Sequence, residues 1–190
     1  MPTNLWPSSR EMIRFLPEII LTAMGTLLMV LDPYLGPRWP KMFGNLSILG
    51  LIGAMAASIY AFTMPGPAFS GMLTVDGFAT FFRVLVIGVA ILAIFSSYKF
   101  LDRERAEAGE YHALILFSVV GQCIMVTANE LIMIFIGLEI SSIATYVLCG
   151  YLRDDKRNNE SALKYFLLGS FATAFLLYGV ALIYGVTGST

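Results

Sequence analysis

Six long apolar runs, separated by short polar or turn-rich connections, limit what this chain can fold into more than any other feature. The runs are about Phe15–Leu31, Leu46–Phe62, Phe78–Ser97, Tyr111–Ala128, Asn129–Tyr151 and Leu163–Tyr184. A helix crossing a bilayer needs roughly 20 predominantly apolar residues, and each run reaches or approaches that length. Strands are excluded, because an unpaired strand edge in lipid leaves backbone groups unsatisfied. The predicted fold class is therefore an all-α integral membrane protein with about six transmembrane helices. Composition agrees: 13% of residues are charged, against about 25% in a soluble domain.

The connections are DPYLGPRWPK, TMPGPAFSGMLTVDG, YKFLDRERAEAGE and LRDDKRNNES. Between the fourth and fifth runs only Thr127–Asn129 intervenes, which predicts a tight antiparallel helix hairpin. Near the N-terminus Arg10, Glu11, Arg14 and Glu18 adjoin the first run, and no small-residue cleavage site follows it. That run is read as a retained span and not as a removed signal peptide. Basic residues set the orientation. Arg38, Lys41, Lys99, Arg103, Arg105, Arg153, Lys156 and Arg157 follow the first, third and fifth runs, whereas the other side holds Arg10 and Arg14. Both chain ends are thus expected outside the cytoplasm.

Several function classes drop out. There is no basic tract, so nucleic acid is not an expected partner. Cys123 and Cys149 lie in apolar runs and read as small buried hydrophobes. With no CxxC, no Cys/His cluster and the single His112, no metal, haem or iron–sulfur site is expected in this chain.

The informative residues are the few ionisable ones at membrane depth. Glu139, in IFIGLEISSIATY, lies near the middle of the fifth run, where an acidic side chain is costly and must face protein or water, be neutral or have a partner. Ser142 and Tyr146 share its helical face and are expected hydrogen-bond partners. A carboxyl in so dry a place has a tunable proton affinity, which suits a proton relay; a buried helix tie is the structural alternative. Lys164, in NESALKYFLLG, is the second candidate. Glu160 stands four residues earlier, in the favourable order for an ion pair, so spacing alone leaves a functional and a structural role open. Glu18 and Glu130 read as first-turn carboxylates suited to the helix dipole. Arg83 reads as a side chain reaching the extracytoplasmic interface, and Glu110 and His112 as interfacial residues opening the fourth run. Gly137, Ser141, Thr145 and Cys149, and then Gly169 and Thr173, form small-residue stripes that let helices approach closely. They predict that the fifth and sixth spans sit inside a bundle. The GVTGST ending fits a natural terminus as well as a loop leading to another helix.

The stretch from NELIMIFIGLEISSIATYVLCG to LIYGVTGST, with its GLE, ESALKYF and AFLLYG elements, resembles the subunit N family of bacterial NADH-quinone oxidoreductase, respiratory complex I. FLPEIILTAMG and GEYHALILF are similar too, so the resemblance covers nearly the whole chain. It implies an antiporter-like, proton-translocating membrane subunit built from inverted repeats. Residues 1–110 would form three peripheral helices and 111–190 the start of the first repeat. Glu139 and Lys164 would match the first two positions of a charged central axis whose later lysines are expected beyond these residues, making this a piece of a longer subunit. NADH, FMN, iron–sulfur clusters and quinone would bind to partner subunits in the inner membrane complex. A multisubunit cation/proton antiporter and a purely structural membrane subunit are the rival readings.

Overall fold

The computed structural model describes residues 7–35, 40–104 and 106–190. Arg38 and Arg105, which contribute to the charge asymmetry, lie outside the described residues. A short helix α1 (Ser9–Arg14) precedes α2 (Leu16–Leu35), α3 (Pro40–Phe62), α4 (Gly77–Glu104), α5 (Ala108–Thr127), α6 (Leu131–Cys149) and α7 (Lys156–Thr187). Helices α2 to α7 are each long and apolar enough to cross a membrane. They coincide with the six runs, and the fold class read from the sequence holds. Some ends differ. Helix α4 runs on through YKFLDRE to Glu104, because these residues are good helix formers and Arg103 in the last turn suits the dipole. Helix α7 begins at Lys156, where the Asp155 side chain accepts from the Arg157 amide at 2.8 Å and caps it.

Helices α2 to α5 pack on one another around Leu21, Leu28, Leu51, Ile87, Ile94 and Leu116, all fully buried. Helix α6 packs along α5, and α7 packs along α6. The α5–α6 contact is the closest in the chain, for a reason visible in the sequence. A Cβ placed on Gly121 would lie 2.5 Å from the Gly137 carbonyl oxygen, and one on Gly137 would lie 2.7 Å from the Gly121 carbonyl oxygen. The two backbones touch, so the small-residue stripe faces α5 as expected. Bundle burial of the last two spans is not met within this chain. Of the apolar window of α5, 56% is buried, but only 11% of that of α6 and 6% of that of α7. Cys123 is buried, whereas Cys149 is exposed, a correction that follows from the open face of α6.

The TMPGPAFSGMLTVDG connection is not a plain loop. Gly66–Ala68 (β1) and Leu73–Val75 (β2) pair antiparallel across a single 3-10 turn. Arg14 ties α1 to this hairpin by donating to the carbonyls of Met64 (2.9 Å), Pro65 (2.9 Å) and Pro67. The Phe69 amide donates to Glu11 Oε1 at 2.9 Å. The hairpin also grips the α5–α6 turn, where the Asn129 amide donates to Met72 O and its side chain donates to Gly71 O, both at 2.9 Å.

Candidate functional site

Glu139 sits mid-way along α6, the nineteen-residue helix Leu131–Cys149. Its Oε1 is buried and has no hydrogen-bond partner among the described residues. The expected bonds to Ser142 and Tyr146 do not form. The Tyr146 ring stacks edge-on against Tyr165 and Phe166 of α7, and it crosses α7 at Gly169, where a Cβ would fall 2.0 Å from its hydroxyl. On the α5 side, Ser141 Oγ lies 3.0 Å from Ser118 Oγ, to which Gln122 Nε2 donates at 3.2 Å. Glu139 thus stands on a helix fixed by close packing on both sides, with a buried carboxylate oxygen that no described group meets. Such an atom is costly in a low-dielectric interior, and it can take up a proton, a water or a cationic partner.

Lys164 does not meet it. Its Nζ donates to Glu160 Oε1 at 2.5 Å, and the two side chains are 69% and 64% exposed. No hydrogen bond or ion pair joins Lys164 to Glu139 among the described residues. The i,i+4 spacing therefore gives the structural pairing it suggests.

A second charged pair escaped the sequence reading. Arg83 Nη2 donates to Glu18 Oε1 at 2.5 Å, and both side chains are 1% exposed. Arg83 does not reach an interface; it turns inward from α4 to meet α2. Glu18 is likewise not a solvated dipole partner but one half of a buried ion pair. The signal was present: each charge within an apolar run demands a named partner, and these two have opposite sign.

At the opposite end of the α2–α5 bundle the polar groups are well partnered. Asp32 accepts from the amides of Gly109 and Glu110, each at 3.2 Å, and so caps α5 from a neighbouring helix. Glu110 accepts from Arg153 at 2.8 Å. The Tyr151 hydroxyl donates to the Glu107 carbonyl at 2.5 Å; burial, with the carboxylates of Glu110, Asp32 and Glu107 nearby, pushes its phenol up. His112 is fully buried, with Nδ1 2.5 Å from Ala108 O and Nε2 3.3 Å from Ser97 Oγ. Carboxylate oxygens of Asp32, Glu107 and Glu110 come within 4.8 Å of one another, a gathering that no spacing in the sequence announces. Asp32 and Glu110 are committed to backbone amides and to Arg153 in that cluster.

Known proteins place this arrangement. Residues 128–190, which hold α6 and α7, match the family described as NADH:quinone oxidoreductase/Mrp antiporter, TM. The NADH-quinone oxidoreductase subunit N 1 of Solibacter usitatus (strain Ellin6076) is 66% identical over 189 residues, covering 100% of this chain and 39% of that protein. The chain is similar to subunit N over its whole length. The subunit N 2 of Koribacter versatilis (strain Ellin345) is 45% identical, over 95% of this chain and 38% of its own length. A chain of the respiratory complex I of Thermus thermophilus, solved with bound aureothin, superposes with a TM-score of 0.76 at 31% identity, covering 91% of this chain and 37% of that one. A chain of the archaeal membrane-bound sulfane sulfur reductase has the same fold, with a TM-score of 0.73 at 23% identity. The fold is therefore the antiporter-like one, and the chain spans about two fifths of the length of the relatives it matches.

Proposed function

We propose that these residues are part of a membrane-arm subunit of a proton-translocating NADH:quinone oxidoreductase. The subunit couples electron transfer in partner subunits to proton movement across the inner membrane. The buried, unpartnered carboxylate oxygen of Glu139 at mid-helix carries the reading. A carboxylate there binds or releases a proton as a neighbouring positive charge approaches or withdraws, because each unit of charge near it shifts its proton affinity. Lys164 belongs to the same axis in this reading and changes partner from Glu160 during turnover. Residues 1–110 form peripheral helices and 111–190 open the first repeat. NADH, FMN, iron–sulfur clusters and quinone are held by partner subunits. Both ends of the sequence lie on the extracytoplasmic side, as the excess of Lys and Arg after α2, α4 and α6 requires.

Replacing Glu139 by Gln in the complete subunit within the assembled complex tests this. The expected result is retained assembly with proton pumping strongly reduced per NADH oxidised. Normal pumping in that variant removes Glu139 from the mechanism. The family description also names the Mrp antiporter, which favours one second reading, a cation/proton antiporter subunit without a redox partner. In that case membranes carrying the protein exchange cations for protons when NADH is withheld; under the first reading, proton movement stops.

A further inference from the structure

The Glu18–Arg83 pair has more polar capacity than its one contact uses. Glu18 Oε2, Arg83 Nε and Arg83 Nη1 are buried and have no hydrogen-bond partner among the described residues. One helical turn along, Leu21 follows Glu18 and Ile87 follows Arg83, and both are fully buried and apolar. Asp32 and His112, the buried ionisable groups at the other end of the same bundle, have partners on both polar atoms. Among the described residues of the α2–α5 bundle, the deficit is thus local to this pair. A carboxylate offers about four lone-pair sites and a guanidinium five N–H groups, and buried polar atoms are nearly always met by protein or by ordered water. A buried ion pair in low dielectric persists when its remaining donors and acceptors are also met.

We propose that the Glu18–Arg83 pair is a water-binding site, in which ordered water links Glu18 Oε2 to Arg83 Nε and Nη1 between α2, α4 and α5. One acceptor and two donors match the two to four polar partners that a buried water takes. The site lies in the peripheral bundle, apart from Glu139, and its existence is independent of any pumping role. Leu21 and Ile87, fully buried one turn from the two charges, are the side chains that report on it.

Pulsed X-ray hydroxyl-radical labelling of the complete subunit in its assembled complex, held in lipid nanodiscs, tests the site, since radicals formed at bound water abstract hydrogen from the side chains beside it and dissolved O2 then adds there. Leu21 and Ile87 are expected to gain oxygen in the wild type. In the double variant Glu18→Leu/Arg83→Met this oxidation is expected to fall to background, with helix content unchanged. Equal oxidation of Leu21 and Ile87 in the two proteins overturns the site. Should the double variant fail to insert, infrared spectra of the wild type decide: an O–H stretching band of internal water that shifts in ¹⁸O-water, and is altered in Arg83→Lys, supports the site. Absence of that band overturns it.

Discussion

Replacing Arg83 by Met strands a buried carboxylate. Its partner Glu18 is 1% exposed, and Arg83 Nη2, at 2.5 Å, is the only side-chain contact to its carboxylate among the described residues. Breaking a buried pair by removing one partner costs about 3–5 kcal/mol, because the remaining charge is left uncompensated. At 1.36 kcal/mol per decade that is a fall of roughly two to nearly four decades in the folding equilibrium. The double variant Glu18→Leu/Arg83→Met removes both charges and is expected to be about as stable as the wild type, or more so by ~1–4 kcal/mol. The contrast between single and double variants separates this pair from ordinary interhelical hydrogen bonds in membranes, which average ~0.6 kcal/mol. Unfolding in mixed micelles titrated with dodecyl sulfate, followed by far-ultraviolet circular dichroism, yields the four free energies of the cycle. If Arg83→Met costs less than ~1 kcal/mol, the level of a solvated pair, the reasoning fails.

Three further outcomes follow from contacts elsewhere. Gly137→Ala is expected to force α5 and α6 apart, since its Cβ would stand 2.7 Å from the Gly121 carbonyl oxygen; the cost of such overpacking is ~1–3 kcal/mol, read in the same unfolding assay. Glu11 accepts from the Ser8 and Phe69 amides, and these bonds hold its carboxyl below the ordinary value of 4.5. Its folded value is the lower one, so the docking of α1 is fully stabilised above pH 4.5 and weakens as pH falls through that folded value. The protection factor of the Phe69 amide, its exchange relative to the intrinsic rate at each pH, should fall over that window in the wild type and show no such pH step in Glu11→Ala. Arg14→Ala removes three carbonyl contacts to the 64–67 segment, and exchange of the β1–β2 amides should rise with a loss of ~1 kcal/mol, at the low end for charged hydrogen bonds because the site is partly exposed.

The spans were legible because run length and composition decide them: every helix from α2 to α7 overlaps its apolar run. Where helices extend past lipid depth, polar residues carry no such signal, so the apolar runs stop short of α3 at Pro40–Asn45, of α4 at Tyr98–Glu104 and of α7 at Lys156–Ala162. The tight α5–α6 turn was legible from spacing, whereas the small-residue stripe marked a close approach at Gly137 without naming Gly121 as its partner. The hairpin at Gly66–Val75 was hidden because its strands are three residues each and carry no repeating pattern. Depth alone singles out Glu139 as a candidate. The Glu18–Arg83 pair is not legible, because a charge near the end of an apolar run reads as solvated. Sequence cannot say that Glu18 and Arg83, 65 positions apart, face one another across a packed seam.

The grip of the hairpin on Asn129 also bears on how Glu139 can move. Helix α6 is held at its first turn by two hydrogen bonds from residue 129 to the hairpin, and along its length by the backbone contact at Gly121 and Gly137. Sliding along its axis would break both attachments, and swinging about residue 129 would pull Gly137 off Gly121. With that backbone contact only two residues from Glu139, the Cα of the carboxylate is pinned against α5, so a change of charge state at this site is met by the side chain and by whatever approaches it, and not by travel of α6.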